Sequence, residues 1–307
     1  MKPKISILMA VFNGSATLKE AIDSILFQTF KDLEFIIIND GSTDDTLRII
    51  ESFKDARIRL INNKENMGLI RSLNLGLQEA SGKYIARMDG DDISMPERLN
   101  IQFNYLEKNS DVFLLGTSAL IIDENGCVIK KAKITKGRDV LKILPTGNCL
   151  IHPSIMFRNI PNLLYREKMI HCEDYDFYLR LVTEGRVLKN IDAPLIKYRI
   201  SPHSISKTKA LMQRRQGDKA REFFFQRQKN GFDQYEEFDL EAFSLETQKL
   251  PIELFIWPEI TSNLSAGKTE EVRSLCKEYL GASFSIKVII CYLSSFLGSR
   301  AIRFLFN

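Results

Sequence analysis

The first 110 residues alternate between short, continuously apolar runs and longer stretches whose apolar residues recur at helical spacing, and few folds accept that rhythm. Ile5–Val11 reads as a buried strand, followed by a helix over 15–28 in which Leu18, Ile22, Ile25 and Leu26 share a face and Ser15 is a candidate cap. Glu34–Ile38, Arg57–Asn62 and Lys83–Met88 read as further strands. Helices over 44–53, 69–80 and 96–108 separate and follow them. Strands apolar on both faces and joined by single helices demand a mostly parallel sheet covered on each side, with right-handed crossovers. In such a sheet ligands bind beyond the carboxyl ends of the strands. Three polar clusters fall there: Asn13, Asn39-Asp40, and Asp89 to Asp92.

From about residue 111 the rhythm changes. Val112–Ile122 and Cys127–Ile134, joined by Asp123-Glu124-Asn125-Gly126, read as an antiparallel excursion. A short helix is expected over 138–144 and a strand over 150–158. A helix opening at Glu173-Asp174 and stopping at Gly185 follows, then extended chain from Val187 to Ile200. Beyond Ser206 the pattern is helical. The 307 residues thus divide into an α/β domain, 1–205, whose rhythm changes near 110, and a helical extension, 206–307.

Composition narrows the classes. Apolar residues at 44% and charged residues at 27% suit a packed core and exclude disorder, collagen-like repeats and a polytopic membrane protein. A net charge of +4 is too mild for a dedicated nucleic-acid binder, and no nucleic-acid partner is expected. The 5 cysteines are scattered without a C-x-x-C pair, which argues against a zinc site or a disulfide framework and for a reducing, cytoplasmic setting.

Asp89-Gly90-Asp91-Asp92 packs three carboxylates at the end of a buried strand. Close like charges repel unless a cation compensates, and oxygen ligands of this kind suit Mg²⁺ or Mn²⁺. A solvated turn explains the same residues equally well. Asp40-Gly41-Ser42 reads as a base- or ribose-contacting turn, or simply as a helix cap. Glu173-Asp174 offers a general base, or two acids complementing a helix dipole. His152 and His203 are candidate ligand contacts, with a structural or surface role as the plainer reading of each.

The order of the motifs is more specific than any one of them. It runs Ala10-Val11-Phe12-Asn13; Asn39-Asp40-Gly41-Ser42-Thr43-Asp44; Asn66-Met67-Gly68 with Asn74-Leu75-Gly76; Ala86-Arg87-Met88-Asp89-Gly90-Asp91-Asp92; and Glu173-Asp174-Tyr175. Over about residues 3–205 this series strongly resembles the glycosyltransferase family 2 enzymes. The resemblance implies a GT-A (Rossmann-like) α/β fold and an inverting transferase using a nucleotide-diphosphate sugar, UDP-linked by expectation, with Mn²⁺ or Mg²⁺. It makes 1–205 the catalytic domain, with 1–110 as its nucleotide-sugar-binding half and 111–205 as its acceptor-binding half. It implies a donor pocket of Ala10, Phe12, Asn13, Asp40, Arg71, Asp89, Gly90 and Asp92. Metal ligation would fall to Asp91 and Asp89. Asp174 would be the catalytic base, with Glu173 beside it. Many relatives place a His directly after Tyr-Arg-x, whereas here Tyr198-Arg199-Ile200 is followed by Ser201-Pro202-His203, so His203 is a displaced metal candidate. His152 is carried as an acceptor contact.

Two competing readings remain at this level: a non-catalytic nucleotide-sugar binder, and a nucleotidyltransferase, which would need a basic Gly-rich loop after the first strand. Phe284–Phe306 holds an uninterrupted, mostly apolar run of about 11 residues before Gly298, short of the about 20 needed to span a bilayer. With Lys287, Arg300 and Arg303 and no acid after Glu278, it suits an interfacial helix on anionic lipid or a helix packed on the protein. Peripheral binding at the inner face of the cytoplasmic membrane would fit a lipid-diphosphate-linked saccharide acceptor, as in O-antigen or capsule synthesis.

Overall fold

The computed structural model describes residues 2–137, 139–200, 209–249, 260, 263, 269–282, 286–294 and 296. They divide into two compact units, Met1–Phe238 and Asp239–Asn307. The first is built on a nine-stranded sheet. Its strands are β1 (Ile5–Val11), β2 (Leu33–Asn39), β3 (Ile58–Asn62), β4 (Tyr84–Arg87), β5 (Ile93–Ser94), β6 (Val112–Ile122), β7 (Val128–Lys131), β8 (Met156–Arg158) and β9 (Val187–Arg199). The order is β3-β2-β1-β4-β8-β6-β9-β5, with β7 added to β6. β3, β2, β1 and β4 are mutually parallel, as the alternating rhythm requires. β8 then runs antiparallel to both β4 and β6, and β6 pairs in parallel with β9.

The side-chain period of a strand explains why the runs are apolar throughout. Ile5, Ile7, Met9 and Val11 of β1 enter a core with α1 (Leu18–Leu26) and α4 (Arg98–Lys108). Leu8 and Ala10 enter the opposite core, with α3 (Leu69–Glu79), α5 (Asp139–Ile143) and α6 (Glu173–Thr183). α2 spans Thr46–Ser52. A polar pair crosses this apolar slab: Ser6 Oγ donates to Glu34 Oε1 at 2.6 Å. Burial alone would raise the Glu34 carboxyl, but further donors on Arg59 and Ser81 outweigh it and hold the group down at about 2.

Three local expectations change. Residues 150–158 form a 3₁₀ turn, His152–Ser154, before the short β8, because Pro153 has no N–H for a ladder. The first helix starts at Leu18, and the Ser15 N–H donates instead to Asp44 Oδ2 at 3.0 Å. β5 has only two residues and no periodicity to reveal it; its pairing of Ile93 and Ser94 with Lys197 and Ile196 brings the acid-rich loop onto β9.

The first unit also runs past the expected boundary at 205. The helix Ala210–Asn230, here α7, buries Ala220, Phe223 and Phe224 in the core that holds Phe177 and Leu181 of α6. Beyond it, Asp233 is buried between Arg166, at 2.7 Å, and Arg227. In the second unit α8 (Leu240–Lys249), α9 (Thr269–Ala282) and α10 (Ile286–Ser294) are described. Val288 and Cys291 of α10 pack with Ile260, Val272 and Cys276, while Leu293 and Phe296 are exposed. Among the described residues no helix is long and apolar enough to cross a membrane. Arg300, Arg303 and Phe304-Leu305-Phe306 lie outside the described residues.

Candidate active site

Strand register determines which loops meet. β1 and β2 end level, Val11 opposite Asn39, so Phe12-Asn13 and Asp40 leave the sheet side by side, tied by Asp40 N–H to Val11 O at 2.9 Å. Ala10 is buried beneath them and Phe12 is 47% exposed. Asn13 adopts φ 50°, and its Oδ1 accepts the Thr43 N–H at 2.8 Å, which closes the first loop onto the second. Asp40 is buried, and its carboxylate organises the next loop. Oδ1 accepts from Asn63 Nδ2 and the Met67 N–H, and Oδ2 from the Gly68 N–H, each at 2.9 Å. A carboxylate has about four lone-pair sites, so one remains for a ligand donor.

β4 stops three residues short of the end of β1, with Arg87 opposite Leu8, and the chain crosses the end of β1 as Asp89-Gly90-Asp91-Asp92. Gly90 O accepts from Thr17 Oγ1 at 3.0 Å, and the glycine lies against Val11 without room to spare for a side chain. Carboxylate oxygens of Asp89, Asp91 and Asp92 lie within 4.8 Å of one another. Asp92 is buried; its Oδ1 accepts the Arg199 N–H at 2.8 Å and its Oδ2 has no partner. Burial and the like charges of Asp89 and Asp91 push Asp92 well up. Crowding by protein and then the Asp89 charge raise Asp91 to about 6, although its side chain reaches solvent. Close oxygen donors, an orphaned buried oxygen and carboxyls that resist ionising together fit a hard divalent cation.

Glu173 and Asp174 occupy the first turn of α6, where N–H groups and dipole favour anions. Asp174 Oδ1 accepts the Tyr175 N–H at 2.7 Å and Oδ2 accepts from Asn148 Nδ2 at 2.8 Å. Burial outweighs these bonds and raises Asp174 to about 6. Burial and the Asp174 charge raise Glu173 to about 8. The two titrate as a pair.

Arg87 links the two acidic motifs. Only 2% of its side chain is exposed; Nη2 meets Asp89 Oδ1 at 2.5 Å, Nη1 donates to Met88 O, and Nε has no partner. Its charge acts on Asp91, Asp92, Glu173 and Asp174 alike. Arg199 does comparable mechanical work at the end of β9. It donates to Asp91 O at 2.8 Å, to Glu20 Oε2 at 2.8 Å, and to the carbonyls of Asp123 and Glu124. Tyr198, its neighbour, is partly buried among Asp89, Asp91, Asp92 and Asp174. Arg87 was visible as a charge closing an otherwise apolar strand, and Arg199 as the arginine of Tyr198-Arg199-Ile200. Asn148 gave no signal, because its role depends on a loop meeting a helix.

Two expected residues are turned elsewhere. Arg71 forms an exposed ion pair with Glu167 at 2.9 Å. His152 packs edge-on against Tyr165 and shares a 2.9 Å hydrogen bond with its hydroxyl. Burial and the Arg87 charge hold the imidazole neutral. His203 lies outside the described residues.

Comparison with known proteins bears on the family and the fold. An uncharacterized glycosyltransferase of Methanocaldococcus jannaschii is 40% identical over 207 residues, covering 65% of this chain and 71% of its own. The O-antigen biosynthesis glycosyltransferase WbnJ of Escherichia coli is 37% identical over 213 residues, covering 66% of this chain and 82% of its own. Among solved structures, S. aureus TarS 1–349 in complex with UDP-GlcNAc superposes with a TM-score of 0.56 at 16% identity, over 96% of this chain and 72% of that one. The mannosyltransferase PcManGT of Pyrobaculum calidifontis, in complex with GDP-Man and Mn²⁺, gives 0.52 at 15% identity, over 99% and 87%. Against a longer TarS chain the match spans 39% of that protein. At such identities the likeness speaks for the fold, which is the GT-A type. Residues 6–172 match the Glycosyl transferase family 2 profile, and the chain belongs to that family.

Proposed function

We propose that this glycosyltransferase moves a sugar, with inversion, from a UDP-sugar to a hydroxyl of a lipid-linked saccharide in surface-polysaccharide (O-antigen or capsule) assembly. The observation that carries the reading is the convergence of the Asp89-Gly90-Asp91-Asp92 loop and the Glu173-Asp174 helix start on one buried arginine, Arg87. Neither a plain nucleotide binder nor a nucleotidyltransferase needs a base-forming carboxylate at that second position. The UDP preference draws on the TarS complex and the acceptor class on the printed role of WbnJ. Lipid linkage would place the enzyme at the inner face of the cytoplasmic membrane.

Asp40, with Phe12 and Asn13 at its side, offers the remaining acceptor site and the aromatic edge for a nucleobase. Asp89 and Asp91 would hold Mn²⁺ or Mg²⁺, which supplies positive charge to the diphosphate leaving group. Asp174 takes the proton of the acceptor hydroxyl as that oxygen attacks the anomeric carbon opposite the leaving diphosphate, through an oxocarbenium-like transition state. Buried Glu173, raised to about 8, is neutral at pH 7 and spares Asp174 a second negative neighbour.

The test is turnover of a UDP-sugar panel with and without Mn²⁺. Asp174→Asn is expected to lower kcat by about 10³-fold or more while UDP affinity stays within about twofold. Near-normal turnover in that variant refutes the base assignment.

A further inference from the structure

We infer that Asn148 is a positioning residue for the proposed base, its side-chain amide holding the Asp174 carboxylate in one orientation across the cleft. The inference rests on the reading of Asp174 given above. Asn148 sits on the loop after α5, and both of its amide ends are committed. Nδ2 donates to Asp174 Oδ2 at 2.8 Å, and Oδ1 accepts the Leu150 N–H at 3.1 Å. Those partners permit one amide orientation, because the NH₂ cannot face an N–H and the carbonyl cannot face a carboxylate.

The loop is anchored on either side of Asn148. Tyr175 Oη, from the same helix as Asp174, donates to Leu144 O at 2.6 Å. Asn190 Nδ2, from β9, donates to Cys149 O at 3.0 Å. Leu150 is buried, and a Cβ on Gly116 would come within 2.2 Å of Asn190 Oδ1 and 2.8 Å of Leu150 Cδ2. Glycine at 116 is therefore what lets Asn190 and the loop sit where they do. Asn148 reaches Asp174 from a loop tied to the same helix and to the sheet, although it is itself solvent-exposed.

The consequence is chemical. With the Tyr175 N–H on Oδ1 and Asn148 on Oδ2, the carboxylate cannot rotate freely, and its free lone pairs keep a fixed direction. The amide donor also favours the ionised form, opposing the burial that disfavours it. The other charged or titratable groups acting on this carboxylate or felt by it are Cys172, Glu173 and Tyr178 on or beside α6, Arg87 at the end of β4, Tyr165 on the preceding loop, and Tyr198 on β9. None of these donates a side-chain hydrogen bond to Asp174 in the structure; Asn148 does.

The test uses the full chain labelled with ¹³C-aspartate, the Asp174 carboxyl signal being identified by its loss in Asp174→Asn. Asn148→Ala is expected to raise the Asp174 midpoint by about 0.5–1 pH unit, a three- to tenfold change in proton affinity. Asn148→Asp is nearly isosteric but puts a carboxylate where the donor was, and is expected to raise it further. In UDP release from UDP-GlcNAc with Mn²⁺ and water as acceptor, the acid limb of kcat should move with the midpoint while the donor KM holds within about twofold. A midpoint unmoved in both variants overturns the inference, including the case where only melting temperature falls. The two readings fail separately. Turnover surviving in Asp174→Asn removes the base, whereas an inactive Asp174→Asn beside Asn148 variants that titrate like the parent removes the positioning role alone.

Discussion

At the scale of single residues, the site is a place where stability has been given up. Asp91 is raised to about 6 in the folded chain, by crowding and then by Asp89, against an ordinary value of 3.8. A carboxyl raised on folding opposes folding above its folded value, because the unfolded chain keeps the ionised form more easily. Removing the charge should therefore help the metal-free fold. Asp91→Asn is expected to gain about 1 kcal/mol at pH 7.5 after allowing for solvent screening, or about 2–3 °C in Tm. The same variant should lose the rise in Tm that Mn²⁺ gives the parent, and thermal melts with and without Mn²⁺ check both halves. A variant less stable than the parent without metal would mean that Asp91 is a structural turn residue. The acidic cluster was legible in the chain because its residues are consecutive. Arg87, which compensates it, was legible only as an odd charge, since its meaning comes from Glu173 and Asp174 arriving from far along the sequence.

At the scale of elements, the loop after β2 shows how a short turn can govern a pocket. Gly41 has φ +69°, and a Cβ there would lie 2.4 Å from the Glu65 carbonyl carbon and 2.6 Å from the Asn66 nitrogen. That backbone leads into Met67 and Gly68, whose N–H groups bind Asp40. Gly41→Ala thus meets strain and a backbone clash together, and is expected to cost about 2–3 kcal/mol in denaturant unfolding. UDP affinity by calorimetry should fall about tenfold or more, because the Asp40 carboxylate and the 65–68 loop must separate. The sequence marked 41 as a turn and 66–68 as a motif ahead of a helix over 69–80, but not that the two touch. Strands and helices of the first 110 residues were readable from their periods. The 3₁₀ turn at 152–154 and the two-residue β5 were not, because each is shorter than one period of any pattern.

At the scale of the whole molecule, the first compact unit ends later than the motifs do. The motif series stops near 205, yet α7 fills a core shared with α6, and Asp233 sits between Arg166 and Arg227. A chain cut after 205 is expected to be insoluble or molten, having opened the Phe177–Phe223 core. A chain cut after 238 should unfold cooperatively and keep UDP-sugar turnover. Expression of both with near-UV circular dichroism and denaturant melts checks this, and a folded 1–205 would place α7 outside the unit. Helical periodicity announced α7, but it could not say which core the helix joins.

What the chain by itself determined is the layered α/β architecture and the identity of the acids at the strand ends, because strand and helix periods and consecutive carboxylates are local properties of sequence. Only the tertiary structure decided which of the candidate residues share a site. Strand register, the reversed strand β8 and the parallel pairing of β9 with β6 bring Arg87, Asn148, Arg199 and Asp174 toward the acidic loop, while Arg71 and His152 are turned to other partners. Such proximity depends on pairings between distant segments, and no local pattern encodes it.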